Sequence, residues 1–252
     1  MLHARVIPCL LMRNGGLVKT IRFKNARYIG DPINAVRIFN EKEVDELVFL
    51  DIGSAGGKDA PDFDLLADIA SEAFMPFAYG GGITSIEHVK RLYGIGVEKV
   101  VLNTAAADQP RLVSEVAALA GSSGVVVSID VRRNWLGAYS VYVAGGTRDL
   151  KRDPAEYARE MEQRGAGEIL LNAIDRDGTM EGYDLELVSR VCRAVSIPVV
   201  AAGGAAKLAD CPQGAAAGAS GLAAGSMFVF HGKHKAVLIT YPEYEELERL
   251  FK

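Results

Sequence analysis

Cysteine is scarce in this 252-residue chain: Cys9, Cys192 and Cys211 are the three present, at no spacing typical of a metal site or a disulfide framework. An odd number of cysteines, with no secretory leader apparent, predicts reduced thiols and a cytoplasmic protein. No apolar run reaches the roughly 18 residues that a membrane-spanning helix needs. The formal net charge is −4 and no stretch is rich in lysine or arginine. We therefore expect no nucleic-acid partner and no association with a membrane.

His231 and His234 form a His-x-x-His pair, but no cysteine or carboxylate beside them completes a metal site. A surface loop is the better interpretation of this pair. We expect neither a metal ion nor a cofactor.

The sequence repeats itself at an interval of 122 residues. Four landmarks recur at this interval: Glu46 with Glu168, Gly81-Gly82 with Gly203-Gly204, Gly96-Val97 with Gly218-Ala219, and Asn103-Thr104 with Gly225-Ser226. A constant interval across separate landmarks predicts two half-units of one architecture, with functional loops at matching places in each half.

Short apolar runs without polar alternation predict strands that are buried on both faces of a parallel sheet. Eight such runs occupy residues 5–10, 46–51, 76–79, 99–102, 124–130, 168–173, 198–201 and 221–224. Helical patterns occupy residues 61–74, 85–94, 108–120, 154–164, 184–195, 207–217 and 241–250. Several of these end at glycine, as helices commonly do: Gly94, Gly121 and Gly165.

This alternation, in a chain of this length, predicts a single-domain (β/α)8 TIM barrel over residues 1–252, built from two half-barrels. An open doubly wound sheet is the alternative, but no Gly-x-Gly-x-x-Gly fingerprint follows the first strand. Two segments, 12–30 and 131–153, are too long to be simple turns. Both follow symmetry-related strands, at the end of the barrel where active sites lie. Trp135, in the second segment, either covers a ligand or packs the loop.

Glycine pairs at strand ends predict two phosphate sites. Free backbone N–H groups at the start of a helix bind anions without a charged side chain. A single pair is usually a tight turn, but the recurrence at equivalent places favours binding. The first cradle comprises Gly81, Gly82, Asn103 and Thr104, and the second cradle comprises Gly203, Gly204, Gly225 and Ser226. The expected ligand is a long molecule with a phosphate at each end.

Asp130 ends the fifth predicted strand and is the best candidate for a general acid or base. We interpret Asp177 and Thr179, in the segment DRDGT (175–179), as groups that orient the substrate, and give Asp175 less weight. An Asp-Gly turn closing a loop is the alternative for this segment. Asp51 ends the second strand. Lys19, in the first long segment, is either a mobile phosphate contact or a solvated loop lysine.

Four charged residues begin strands at the opposite end of the barrel. We call them the floor ring: Arg5, Glu46, Lys99 and Glu168. A solvated rim of charges that serves stability is the simpler interpretation. Two cations and two anions at inward-facing positions predict mutual pairing, and such a ring could act as a gate.

Together these residues resemble, along essentially the whole chain, the cyclase subunit of imidazole glycerol phosphate synthase. The resembling stretches are RVIPCL (5–10), DELVFLDI (45–52), GGGI (80–83), NTAA (103–106), RGAGEILL (164–171) and IDRDGT (174–179). The resemblance implies a barrel that docks a glutaminase on its floor and receives ammonia through its axis. It implies that the floor ring is the ammonia gate. It also implies that both cradles, Lys19, Asp177, Gly178 and Thr179 bind a bis-phosphorylated ribulosyl-imidazole substrate.

The resemblance fails at one position. The family has two essential aspartates; one falls on Asp130, and the other is expected at position 11, where this chain has Leu11. A leucine cannot transfer a proton, and proton transfer contributes typically 10²–10⁴-fold to a rate.

Three interpretations follow from this departure. The first is a divergent paralogue of the kind encoded with surface-polysaccharide genes, which still conducts ammonia from a glutaminase but passes it to a sugar amidotransferase. The second is a working cyclase that makes imidazole glycerol phosphate and AICAR in histidine biosynthesis. The third is a non-catalytic scaffold that activates the glutaminase.

Overall fold

The computed structural model describes residues 4–54 and 59–251. Residues 1–3, on which the expectation of no secretory leader partly rests, lie outside the described ranges. The strands are β1 (Arg5–Arg13), β2 (Gly16–Ile21), β3 (Lys24–Gly30), β4 (Leu47–Asp51), β5 (Phe77–Gly80), β6 (Lys99–Leu102), β7 (Val125–Arg133), β8 (Tyr139–Val143), β9 (Arg148–Asp149), β10 (Glu168–Ala173), β11 (Val199–Ala202), β12 (Gly221–Ala224), β13 (Phe230–His231) and β14 (Ala236–Val237).

Helices follow most of these strands. They are α1 (Pro32–Glu41), α2 (Phe63–Glu72), α3 (Ile86–Ile95), α4 (Thr104–Asp108), α5 (Arg111–Ala120), α6 (Pro154–Gln163), α7 (Leu185–Cys192), α8 (Asp210–Ala216), α9 (Ser226–Val229) and α10 (Tyr244–Leu250), with a short 3-10 turn at Ser122–Gly124.

Eight parallel strands close into a barrel, in the order β1-β4-β5-β6-β7-β10-β11-β12. Closure is complete because β12 pairs in parallel with β1 and β7 pairs in parallel with β10. The (β/α)8 TIM barrel predicted from the sequence is therefore confirmed. None of the helices in the described ranges is both long enough and apolar enough to cross a bilayer.

The two long segments are hairpins rather than loops, which corrects the interpretation of residues 12–30 and 131–153. In the first, β2 pairs antiparallel with β1 and β3 with β2. In the second, β8 pairs antiparallel with β7 and β9 with β8. Each hairpin extends its barrel strand beyond the barrel rim, so the two insertions obey the same pseudo-twofold as the strands.

Helix boundaries follow local capping chemistry. The predicted cap at Ser85 is confirmed, since its hydroxyl accepts a hydrogen bond from His88 N at 3.3 Å. Helix α3 ends at Gly96, with φ +114°, rather than at the predicted Gly94. The helix predicted over 108–120 begins at Arg111, as α5 with Pro110 as its N-cap, and the short helix α4 (Thr104–Asp108) precedes it. Helix α1 is absent from the predicted helices, although Asp31 caps it and a proline opens its first turn.

Side chains pointing into the barrel form an apolar layer between the floor and the mouth. Successive strand residues alternate between the interior and the helices, and the interior set is Ile7, Val48, Ala78, Val101, Val126, Leu170, Val200, Ala202 and Ala223. The larger core lies between the strands and the helices. The mouth and the floor are therefore separate polar regions joined by an apolar axis.

Candidate functional site

The mouth of the barrel holds a cavity of about 520 Å³ at the carboxyl ends of the strands. The residues of the first cradle line it: Gly81 and Gly82 after β5, and Asn103 and Thr104 where β6 meets α4. Gly82 has φ +65°, and a side chain there would overlap the backbone of Asp59. Glycine is required at this position because the chain turns tightly beside the cavity.

Asp130 lies in the wall of this cavity and is 7% exposed. Asn103 Nδ2 donates to its Oδ2 at 3.2 Å, and Ser128 Oγ donates to its Oδ1 at 3.4 Å. Burial raises the pKa of Asp130 from its ordinary value of 3.8 to about 7, although the hydrogen bonds from Ser128 and Asn103 lower it in part. A carboxyl group with such a pKa can both donate and accept a proton near neutral pH.

Leu11 occupies the place in the first half that Asp130 occupies in the second. Leu11 pairs in register with Leu50 of β4, and Asp130 pairs with Asn172 of β10. Leu50 and Asn172 are themselves related by the interval of 122 residues. The pseudo-twofold therefore superimposes Leu11 on Asp130 and Leu50 on Asn172, and one side of the mouth is apolar where the other is polar.

The second cradle encloses a much smaller cavity, of about 40 Å³. Gly203 and Gly204 follow β11, and Gly225 and Ser226 follow β12. The two cavities share three lining residues, Leu11, Asn172 and Asp177.

Lys19 fills part of the second cradle. A side chain at Gly225 would overlap Lys19 Nζ. Lys19 belongs to β2 and is 7% exposed, so it is not the solvated loop residue that the sequence left open. Its ammonium group forms no hydrogen bond or ion pair with the part of the chain that the structure describes.

The loop after β10 fastens the first hairpin to the barrel. Thr20 Oγ1 donates to Asp177 Oδ2 at 2.6 Å, and Phe23 N donates to the same oxygen at 3.1 Å. A side chain at Gly178 would overlap the carbonyl of Thr20. Asp177 and Gly178 therefore position the hairpin as well as lining the mouth.

Two other residues of this loop form hydrogen bonds within the chain. Thr179 Oγ1 donates to Arg176 O at 2.9 Å, and Thr179 lines neither of the two cavities. Its role in orienting the substrate stays a prediction. Asp175 accepts a hydrogen bond from Arg133 N at 2.8 Å and so holds the second hairpin.

The floor ring is fully paired. Lys99 Nζ donates to Glu46 at 2.6 Å and to Glu168 at 2.9 Å, and Arg5 forms ion pairs with the same two carboxylates. Burial alone would lower the pKa of Arg5, but the charges of Glu168 and Glu46 outweigh it and raise that pKa. The mutual pairing expected from the sequence is present.

The site predicted from the sequence did not include several residues that line the mouth. Ser128 and Asn172 are neighbours of Asp130, and the turn after β8 brings Gly145 and Thr147 to the large cavity. Asn172 is a polar residue among the apolar residues that follow Glu168 in β10, and that signal was available. Trp135 lies at the tip of the second hairpin and is 91% exposed, so it neither covers the cavity nor packs the hairpin. His231 and His234 are exposed on the β13–β14 hairpin.

Comparison with known proteins places this barrel in a family. Residues 5–235 match the family described as Histidine biosynthesis protein. The chain belongs to this family. Within it, the chain is 51% identical to a Pseudomonas aeruginosa protein provisionally named imidazole glycerol phosphate synthase subunit hisF2, over 98% of the chain and 99% of the relative. A Leptospira interrogans protein provisionally named subunit HisF is 47% identical over the full length of both chains.

The chain is also similar to proteins that are named as HisF subunits without provisional wording. The HisF subunit of imidazole glycerol phosphate synthase from Streptomyces avermitilis is 41% identical over 91% of each chain. The protein is therefore a HisF-like member of the histidine biosynthesis family, as the sequence resemblance indicated.

Proposed function

We propose that this HisF-like chain conducts ammonia from a glutaminase docked on its floor to an acceptor beyond its mouth. We further propose that another protein uses this ammonia in the cytoplasm to amidate a sugar of a surface polysaccharide. One observation carries the proposal: the floor ring is complete, whereas of two equivalent strand positions at the mouth one holds a carboxylate, Asp130, and the other an aliphatic side chain, Leu11.

The interior supports transit of a small neutral molecule. The layer above the floor ring is apolar, and transfer of an ion into such surroundings costs far more free energy than transfer of neutral ammonia. The ring is closed by four ion pairs. Passage of ammonia then requires one of these ion pairs to open transiently. Docking of the glutaminase would supply the free energy for this opening.

The names of the relatives support a paralogue. Relatives at 51% and 45% identity are named hisF2 and hisF3, as additional HisF-type chains are. The HisF subunits of three Streptomyces species, named without reservation, are 40–42% identical.

A working cyclase is the second candidate, and the environment of Asp130 favours it. A carboxyl group with a pKa of about 7 lies beside the first cradle, where a phosphate would be held by backbone N–H groups and by Asn103 and Thr104. Lys19 and the second cradle would hold the other phosphate of the same substrate. In this candidate Asp130 transfers protons alone.

A turnover assay separates the two candidates. Purified chain receives the bis-phosphorylated ribulosyl-imidazole precursor and an ammonium salt, and formation of imidazole glycerol phosphate is followed. We expect no turnover by the natural chain and a gain of turnover in Leu11→Asp. Turnover by the natural chain that is lost in Asp130→Asn would overturn the first proposal and establish the cyclase.

A coupling assay tests conduction itself. The chain, its glutaminase and the sugar amidotransferase are combined, and the amidated product is compared with the glutamine hydrolysed. Lys99→Met should lower the product formed per glutamine while hydrolysis continues, because the ring no longer directs ammonia into the axis. Lys90→Met, on the exposed face of α3, is the matched control. An unchanged ratio in Lys99→Met would refute the conduit.

A further inference from the structure

Charge is distributed unevenly around the barrel. The chain contains 32 aspartate and glutamate residues, yet none of them lies within residues 1–30 or 211–242. These two segments supply β1 and β12, which pair in parallel where the barrel closes. Both segments contain lysine or arginine. The net charge of −4 therefore conceals a basic sector, and its two parts lie far apart in the sequence but side by side in the fold.

Two hairpins present this basic sector at the mouth. The first hairpin extends β1, and the β13–β14 hairpin follows β12 after the single turn of α9. The guanidinium group of Arg27 lies 5.6 Å from the ring centre of Phe230, so the two hairpins are in contact. We call a set of exposed side chains on these hairpins the rim surface: Arg27, Tyr28, Lys233, Lys235, Val237 and Leu238.

The cations of the rim surface have no counter-ions. Within the part of the chain that the structure describes, no carboxylate forms an ion pair with Arg27, Lys233 or Lys235. Exposed cations elsewhere do have such partners, as Arg37 has in Glu72. Cations that are grouped without counter-ions repel one another, and an anionic partner would relieve this repulsion.

The rim surface is suited to a protein rather than to a small anion. Tyr28, Leu238 and Val237 are 66%, 52% and 41% exposed beside the cations. Exposed aromatic and arginine side chains with apolar neighbours are typical of protein interfaces. No residue of the rim surface lines either mouth cavity, so this surface does not belong to the candidate ligand site.

Position and charge exclude two protein partners. The glutaminase of the proposed function binds the floor, which is the opposite end of the barrel. A second copy of this chain in a twofold contact would place the same cations against each other, which is unfavourable. The partner that fits is a different protein, with an acidic face, that approaches the mouth.

We propose that the rim surface docks an acidic face of the protein that receives the ammonia. This inference rests on the proposed function, which requires an acceptor beyond the mouth. Ammonia that enters bulk water is diluted and protonated, so an acceptor held at the rim would receive more of it. The cations would increase the rate of encounter, and the apolar side chains between them would be buried in the complex.

Calorimetric titration of the whole chain with the sugar amidotransferase tests the docking. We expect binding that weakens as salt is added, because salt screens exposed charges. Lys233→Glu combined with Lys235→Glu should weaken binding about tenfold or more, and Lys233→Arg combined with Lys235→Arg should retain it. Lys90→Glu combined with Arg159→Glu, at exposed positions of α3 and α6, is the control with the same change in charge.

Three outcomes would overturn the inference. The first is no binding of the amidotransferase by the natural chain. The second is an equal loss in the rim pair and the control pair, which would make the effect one of net charge. The third is unchanged amidotransferase binding in the rim pair together with lost binding to vesicles of phosphatidylserine and phosphatidylcholine, which would make the rim a membrane-binding surface.

The coupling assay separates docking from conduction. The rim pair Lys233→Glu with Lys235→Glu should lower the product per glutamine, while glutamine hydrolysis and the melting temperature stay unchanged, since both side chains are exposed and far from the floor. Excess amidotransferase should restore the product in the rim pair by mass action. It should not restore the product in Lys99→Met, whose defect lies in the axis.

The inference and the proposed function can fail separately. If the rim pair couples normally at limiting amidotransferase while Lys99→Met does not, conduction stands and the docking surface is wrong. If Lys99→Met also couples normally, conduction itself is refuted.

Discussion

In the second half of the barrel Asp130 and Asn172 lie side by side at the mouth, and in the first half the equivalent pair is Leu11 and Leu50. At the floor the acidic pair keeps the repeat, since Glu46 and Glu168 are equivalent residues that bind the same two cations. The cations Arg5 and Lys99 both belong to the first half, and Gly221 occupies the position equivalent to Lys99. A duplicated barrel can thus keep an equivalent pair of residues at its floor, the two glutamates, while the equivalent positions at its mouth differ. The floor end normally serves stability and the mouth end serves chemistry, so the two ends are free to diverge separately.

The two hairpins also differ from each other in the side chains that they bring to the mouth. The first turns Lys19 and Thr20 inward, where Asp177 fastens it to the loop after β10. The second projects Trp135 into solvent. The first hairpin, which extends the strand that carries Leu11, therefore supplies polar side chains to the mouth. The second hairpin, which extends the strand that carries Asp130, does not close over the mouth.

The largest effect concerns Asp130. Its pKa of about 7 in the folded protein exceeds its unfolded value of 3.8, so the folded state holds the proton more tightly. The resulting stabilisation is complete below about pH 4 and is lost as the pH rises to about 7. Asp130→Asn should therefore raise the free energy of unfolding at pH 8 by up to about 4 kcal/mol, with little change near pH 4.

Denaturant unfolding at both pH values measures this effect. Asp68→Asn, an exposed carboxylate on α2, is the control and should show no such dependence. Identical pH profiles for the natural chain and Asp130→Asn would mean that Asp130 is ionised in the folded protein. The mouth would then be more asymmetric in charge than the burial of Asp130 indicates.

The floor ring provides the next effect. Glu46→Gln and Glu168→Gln should each lower the free energy of unfolding by about 3 kcal/mol, because either change leaves two partly buried cations with one carboxylate between them. The two losses should agree within about 1 kcal/mol if the pseudo-twofold holds. Urea unfolding of both variants checks this. Clearly unequal losses would show that the floor, too, has diverged.

A smaller effect distinguishes the hairpins. Thr20→Val removes a buried hydrogen bond of 2.6 Å to Asp177 and should cost about 2 kcal/mol, as hydrogen bonds to charged groups do. Thr147→Val is the matched control in the second hairpin, where the hydroxyl donates to Ala144 O at an exposed site. Thermal unfolding compares them, and equal losses would remove the distinction between the hairpins.

The smallest effect concerns the tip of the second hairpin. Trp135→Ser should change the free energy of unfolding by less than about 0.5 kcal/mol, since the side chain is 91% exposed. Tryptophan fluorescence should show a solvated emission maximum in the natural chain. A blue-shifted maximum, or a loss above about 1 kcal/mol, would show that the hairpin folds back onto the mouth.

The sequence predicted the eight strands of the barrel, but it missed helix α1 and the strands of the two hairpins. Apolar runs located all eight barrel strands, because strands buried on both faces contain few polar residues. Helix α1 was missed although Asp31 and Pro32 signal its start. The hairpins were taken for loops, because β2 and β8 extend beyond the barrel and their pairing partners lie outside the apolar repeat.

The sequence predicted some residues of the candidate site and missed others, for a similar reason. Glycine pairs and the floor ring occur at strand ends, where position along the chain predicts position in the barrel. Asp130 ends an apolar run in the sequence, although β7 continues to Arg133 in the structure. Ser128 and Asn172 lie inside strands, where only the register shows which groups face each other. Thr179 belongs to a recognisable motif, yet its hydroxyl is used within its own loop.

The sequence by itself determined the barrel, its internal duplication and the presence of a leucine, Leu11, where the resemblance predicts a carboxylate. These follow from periodicity and from residue identity, which need no coordinates. The tertiary structure decided the burial of Lys19, the pairing of the floor ring and the contact between the first hairpin and the β13–β14 hairpin. Each of these depends on groups brought together from distant parts of the chain, and closure of the barrel determines which of them meet.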